Sequence, residues 1–392
     1  MKVWLQNPFD NLPLEGYRKQ RFWLMAEAFV RAGHDVVLWT SDFSHLNKRP
    51  RTLTAAPASF GLELIPTRPY AKNVSLARVR SHRAYAKAWK RQAAAVIAAT
   101  PTAKPDLIVS SLPTISGAAA ALDLGRACGA KVVIDVQDAW PETFERLAPR
   151  GCAGLARLVL SPFRHEAQRI YREADLVTGV CDRYRALVGR DDYIRSYLGI
   201  ELTPPPAPVA PPADVLRLVY AGNLGLTYDL GTVIRGLARL DNITLDIAGA
   251  GEGEADWKSL VQRLGLGERV RFHGYLGEQQ LRQLLARADV GVVPMPSDSF
   301  VGLPNKLADY AAAGLGILSS LGGESEALLI RSAAGATYAV GDGKSFQEAV
   351  LRLKGQRDGL RARALALAAQ EFDAVRLYDA YVSAILAKLN IA

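Results

Sequence analysis

The stretch VGLPNKLADYAAAG, residues 301–314, sets a proline, a lysine and an aspartate at the head of a helical pattern that ends in glycine. Pro304 suits a helix start, where its missing N–H removes no bond. The free N–H groups of a first turn, here at Asn305, Lys306 and Leu307, and the positive end of the helix dipole attract an anion. Lys306 opposes that dipole, and a bound anion would offset the opposition. Asp309 follows three residues later near the same face. A lysine for a diphosphate and a carboxylate for a ribose diol fit a nucleoside diphosphate. An ordinary surface helix fits the same residues, and for this stretch alone the plainer account is preferred.

Three further segments of the same half raise the weight of the ligand. YAGNLG (220–225), AGAGEG (248–253) and FHGYL (272–276) each follow a strand-like run. Glycine lets a backbone approach a ligand and present its N–H groups. Each loop alone reads as a tight turn. At successive strand ends, Gly222, Asn223, Gly225, Gly249, Gly251, Gly274, Tyr275 and Leu276 become candidates for one shared ligand site, while His273 reads as structural.

The front half offers a second polar group. VVIDVQDAWPETF (132–144) sets Gln137, Asp138 and Trp140 just past a buried strand, able to hydrogen-bond sugar hydroxyls and stack on a ring. NPFDNLPLEGYRKQR (7–21) leaves the first strand in a long loop, with Gly16 and Tyr17 allowing close approach of a substrate or forming a simple turn. SDFSHLNKR (41–49) could meet an anionic acceptor through His45, Lys48 and Arg49.

Other chemistries lack their residues. There is no G-x-G-x-x-G after the first strand, no P-loop, no G-x-S-x-G elbow, no HExxH and no pair of aspartates two apart. Neither a cofactor nor a metal site is expected. The three cysteines are too far apart for a disulfide framework or a CxxC site.

The elements that must position these residues alternate between short apolar runs and longer helical patterns. Front-half strands are expected at 2–7, 35–40, 62–67, 106–111, 131–136 and 175–180, back-half strands at 217–222, 243–249, 269–276, 290–295, 316–320 and 336–340. Most are continuously apolar, as in strands covered on both faces. Between the halves lies ELTPPPAPVAPPAD (201–214), six prolines in fourteen residues, which reads as a linker. The expectation is an α/β protein of two doubly wound domains, 1–200 and 215–372, facing each other across a cleft, with a helix at 373–392 packing back on the first.

Residues 1–200 carry 29 Lys and Arg against 18 Asp and Glu, whereas residues 201–392 carry 19 against 21. The basic front half suggests an anionic partner, and the segment 68–92 reads equally as a solvated helix or a membrane-surface helix. Basic ribbons interleaved with aromatics, as nucleic acid would need, are absent. No apolar run is long enough to span a bilayer, and the start turns polar too soon for a secretory signal, so a cytoplasmic protein is expected, with peripheral contact at the inner face of the membrane.

The order of seven segments, LEGYRKQRFWLMAEAFVRAGHDVVLWTS, VQDAWPETF, SYLGIE, VYAGNLG, IAGAGEG, VRFHGYL and VGLPNKLADYAAAG, resembles that of the GT-B retaining glycosyltransferases of family 4, most of all those that build bacterial surface polysaccharides and exopolysaccharides. The resemblance implies two Rossmann-like domains, the second binding a nucleotide sugar and the first a glycan or lipid-linked acceptor. It implies front-face attack with the leaving diphosphate taking the acceptor's proton, so no protein nucleophile is needed. The family's glutamate pair aligns on Val301 and Asp309: the ribose role carries over to Asp309, and Asp298 or Ser299 is left to serve the sugar. Where many members keep basic residues after the first donor-domain strand, GNLGLTYD (222–229) has none, which turns attention to Lys306. Gln137 takes the place of a donor-side histidine. Lys306, Gln137 and Asp138 are therefore the expected catalytic group and Tyr17, His45 and Trp140 the acceptor side, with a UDP-sugar favoured as co-substrate. An epimerase of the same fold and a non-catalytic nucleotide-sugar-binding subunit are the other readings.

Overall fold

Apolar runs such as LIVSSL and KVVIDV have no polar face, so both faces need cover, and in the computed structural model they form the middle of a parallel sheet. Described are residues 1–53, 55–56, 59–145, 153–205, 207–209, 214–225, 228–296 and 299–391. They divide into two units, Met1–Glu201 with Ala374–Ala392, and Leu202–Asp373.

In chain order the first unit holds β1 (Lys2–Gln6), β2 (Asp35–Ser41), β3 (Phe43–Ser44), β4 (Arg49–Pro50), β5 (Gly61–Ile65), β6 (Leu107–Leu112), β7 (Lys131–Val136), β8 (Leu176–Gly179) and β9 (Ile194–Arg195). Seven of these make one parallel sheet in the order β5-β2-β1-β6-β7-β8-β9, with β3 and β4 pairing as a separate hairpin. The second unit holds β10 (Leu216–Ala221), β11 (Ile243–Ala248), β12 (Val270–Gly274), β13 (Val290–Val293), β14 (Gly316–Ser319) and β15 (Gly335–Thr337), a six-stranded sheet in the order β12-β11-β10-β13-β14-β15. Both sheets are Rossmann-like, and the α/β fold is that of two doubly wound units.

Helix Ala374–Leu389 belongs to the first unit. Its buried residues Ala374, Tyr378, Tyr381, Val382 and Ile385 recur at helical spacing and join the cluster of Phe22, Met25 and Phe29. Burial of each large side chain contributes on the order of 2 kcal/mol. A charged pair lies under this helix. Arg21 donates to both carboxylate oxygens of Asp135, at 2.8 and 2.7 Å, and to the carbonyls of Ser196 and Tyr197. Its guanidinium lies over the rings of Tyr378 and Tyr381, at 5.5 and 5.2 Å. Thr178 completes the set with a bond to Asp135 at 2.8 Å. A buried carboxylate near the end of β7 is tolerable because both its oxygens are met.

From Leu202 onward the described residues of the proline-rich run belong to the second unit. Arg282 donates to Thr203 and Pro204, and the Val209 N–H to the Ala286 carbonyl at 2.9 Å. Among the described residues no helix is long and apolar enough to cross a membrane.

Candidate functional site

In the second unit β10 and β13 are sheet neighbours although β11 and β12 intervene in the chain. Strand order reverses between them, and ligands of open α/β sheets bind beyond the strand ends at such a point. The expected glycine loops converge there. The Gly222 N–H donates to Ala248 O (2.9 Å), Gly249 to Gly274 O (2.7 Å), Leu224 to Ala250 O (3.0 Å) and Gly253 to Leu224 O (2.9 Å). Gly222, Gly249 and Gly274 have φ of 150°, 137° and 66°, where a side chain is strained. Space forbids one as well: a Cβ on Gly249 would lie 1.8 Å from the Gly222 carbonyl oxygen, and one on Gly251 2.5 Å from the backbone of Leu224.

Helix Asn305–Ala312 is fixed beside these loops by Tyr310. The Tyr310 hydroxyl accepts the Ala221 N–H at 2.8 Å, and its ring fills the space over Gly291, where a Cβ would come within 2.2 Å. This seats the first helical turn against the end of β10. The Lys306 amine stands over the rings of Tyr228 and Tyr220, at 4.9 and 5.3 Å. Burial lowers its pKa, and the charge of Asp309 opposes that only in part. Among the described residues the amine has no hydrogen-bond or ion-pair partner. It is a partly desolvated cation beside a glycine loop, free to neutralise an anion resting there.

The other expected residues of this unit take varied positions. Pro304 is the N-cap, Asn305 is exposed and Leu307 is fully buried, so Leu307 offers packing alone. Asn223 is exposed beside Gly251, and Gly225 is buried. Tyr275 is 85% exposed, Leu276 and Asp309 half-buried. Ser299 is buried and its hydroxyl accepts the Val301 N–H at 3.2 Å, so it serves its own loop. Asp298 lies outside the described residues. His273 shares a bond of 2.6 Å with Asp246.

In the first unit Gly16, at φ 81°, closes a turn through its N–H to Pro13 O at 2.9 Å, and Tyr17 accepts from Asn47 at 2.7 Å. Gln137 follows β7, and its buried Nε2 has no partner among the described residues. Asp138 accepts from Trp140 Nε1 at 3.0 Å and Thr143 Oγ1 at 3.1 Å, and burial raises its pKa. It thereby holds the indole in place. Trp140 packs against His82 at 5.6 Å, and the Arg78 guanidinium lies 4.7 Å over its ring. His45 lies against Phe9 at 5.1 Å and hydrogen-bonds the Tyr70 hydroxyl. His45 and Trp140 thus meet through Tyr70, Arg78 and His82, none of which the sequence reading singled out. Their signal was present: residues 64–105 contain nine Lys and Arg and no acid.

A family model described as "Glycosyl transferase 4-like domain" matches residues 19–196, and one described as "Glycosyl transferases group 1" matches residues 216–355. The putative colanic acid biosynthesis glycosyltransferase WcaL of Escherichia coli K12 is 24% identical over 179 residues, 42% of this chain and 44% of that protein, so the chain spans less than half the length of this relative. Among solved structures, sucrose-phosphate synthase of Thermosynechococcus elongatus superposes with a TM-score of 0.72 at 15% identity, over 98% of this chain and 99% of that one. Anabaena Alr3699/HepE in complex with UDP gives 0.63 at 16%, over 98% and 99%. At such identities the structural likeness speaks for the fold.

Proposed function

We infer that this chain, a GT4-like glycosyltransferase of the GT-B fold, moves a sugar from a nucleoside diphosphate sugar to a glycan or lipid-linked glycan, with retention at the anomeric carbon. The observation that carries the reading is the Lys306 amine held against Gly222 at the strand-order reversal of the second unit. A diphosphate resting on the glycine loops would meet the lysine, and the departing diphosphate would be stabilised by charge already in place. Asp309 is assigned to the ribose, and Gln137 to the sugar. The first unit takes the acceptor, so catalysis is positioning plus charge stabilisation, with no covalent protein intermediate and no metal assigned. UDP is the favoured nucleotide, in keeping with the UDP held by a structural neighbour. The exposed basic residues Arg80, Arg83, Lys87 and Arg91 on helix Leu76–Ala99 support peripheral contact with an anionic membrane at its cytoplasmic face.

Thermal-shift titration with UDP, GDP, ADP and their sugars tests the donor site, because a bound nucleotide raises the melting temperature with the logarithm of saturation. UDP and its sugars should give the largest shift, and the absence of any shift would overturn the reading. Val301, where the family places an acid, favours a second reading as a nucleotide-sugar-binding subunit without turnover. Release of UDP from a donor sugar by the purified chain decides between the two.

A further inference from the structure

Lys48 and Arg78 stand together in the first unit with no carboxylate paired to either among the described residues. Lys48 donates to Asn73 Oδ1 at 2.6 Å, and Arg78 to the carbonyl of the same Asn73 at 3.0 Å. Both lie over Tyr70, the amine 4.8 Å and the guanidinium 5.9 Å from its ring centre. Arg78 also covers Phe9 at 5.3 Å and donates from Nε to His82 at 3.3 Å. The nearest acid acting on Arg78, Asp138, has its oxygens taken by Trp140 and Thr143. Two cations have therefore been drawn onto an aromatic floor, partly out of water, sharing neutral acceptors. Such desolvation is costly unless a counter-charge arrives.

The Phe9 and Tyr70 rings they cover, with Phe43, His45, Ser81 and His82, line a small apolar pocket to which neither cation contributes. Ser81 is 1% exposed, and its hydroxyl has no partner among the described residues. Burial keeps both histidines neutral, helped at His45 by Lys48 and Arg78 and at His82 by Arg78, with pKa values of about 4 and about 3. Lys48 and Arg78 thus present two positive charges beside two neutral imidazoles. A planar or tetrahedral oxyanion supplies the counter-charge both cations lack, since guanidinium and ammonium both favour carboxylate and phosphate oxygens.

We propose that Lys48 and Arg78 form a subsite for a negatively charged substituent on the acceptor, either the carboxylate of a uronic acid residue or the phosphate of a sugar phosphate. The assignment to the acceptor rests on the glycosyltransferase reading above. The subsite itself rests on the two unpaired cations.

Calorimetric titration of the full chain with methyl glucuronide, glucose 6-phosphate and methyl glucoside tests it. One or both anions should bind saturably, and the neutral sugar at least tenfold more weakly. The anion that binds tells carboxylate from phosphate. Arg78→Gln and Lys48→Gln should each weaken anion binding at least tenfold, while Lys306→Ala leaves it unchanged. Equal binding of neutral and anionic sugars, or anion binding that survives both substitutions, overturns the subsite. Because Arg78 is half-buried, Lys48→Gln provides the test should the arginine variant fold poorly. UDP binding by the same samples reads the donor site separately. A chain that binds UDP but no anion loses the subsite alone, and one that binds the anion but no nucleotide retains the subsite and loses the transferase reading.

Discussion

The amine of Lys306 occupies the space that a side chain on Gly222 would need: a Cβ built there falls 2.2 Å from Nζ. The two residues belong to different elements, one closing β10 and the other opening helix Asn305–Ala312. Lys306→Ala should weaken UDP binding about tenfold, the scale of one lost charge-assisted contact. Gly222→Ala should do the same by displacing the lysine, with an added backbone cost at φ 150°. Titration calorimetry with UDP checks both, and unchanged affinity in the lysine variant would remove Lys306 from the site.

Gly249 lies under the Gly222 carbonyl with no room for a methyl group. Gly249→Ala must therefore push two backbones apart, and should cost about 2 kcal/mol or more together with UDP binding. Urea unfolding measures the first and calorimetry the second. Gly129→Ala is the control, since its Cβ meets nothing within 4 Å and only the strain of its φ of 72° remains.

Removing one partner of the Arg21–Asp135 pair leaves a buried charge without its counterpart. Arg21→Met should destabilise the first unit by about 3–5 kcal/mol. Adding Asp135→Leu should recover much of that loss, because a buried ion pair and an apolar pair of similar volume are often comparable in stability. Chemical denaturation of both variants checks this. A double variant less stable than the single one would show that the pair is needed for more than mutual neutralisation.

His82 is held neutral in the folded state, its pKa lowered to about 3 by burial. The unfolded chain takes up that proton near pH 6.5, so stability is complete above this value and falls as the pH drops towards 3. The loss should reach about 3 kcal/mol by pH 4. In His82→Phe the slope of unfolding free energy against pH between 6.5 and 4 should be shallower. An identical slope would place the acid sensitivity elsewhere.

Much of the sheet architecture is legible in the sequence because its strands are buried on both faces. LIVSSL and KVVIDV admit few other settings: the first lies one residue beyond the expected limits and the second within them. The pairs Phe43–Ser44, Arg49–Pro50 and Ile194–Arg195 are too short to show a period, and tertiary pairing alone makes them strands. The site was legible in kind but not in contact. Gly222 and Lys306 each carry a local signal, yet their adjacency depends on Tyr310 reaching Ala221. The aromatic and cationic group of the first unit was hidden for another reason. Residues 68–92 mix outward Arg80, Arg83 and Lys87 with inward His82, Tyr85 and Trp89, and their overall charge reads equally as a solvated or a membrane-surface helix.

The first unit takes part of its core from the segment Ala374–Ala392, which follows the whole of the second unit in the chain. During synthesis, residues 202–373 can close as soon as they emerge, since all their strands are contiguous. The earlier-made sheet must wait with Phe22, Met25 and Phe29 uncovered until Tyr378 and Tyr381 arrive to cap Arg21. The usual vectorial order, amino-terminal domain first, is thereby reversed for completion, and the half made first is the one that stays longest exposed to aggregation and proteolysis.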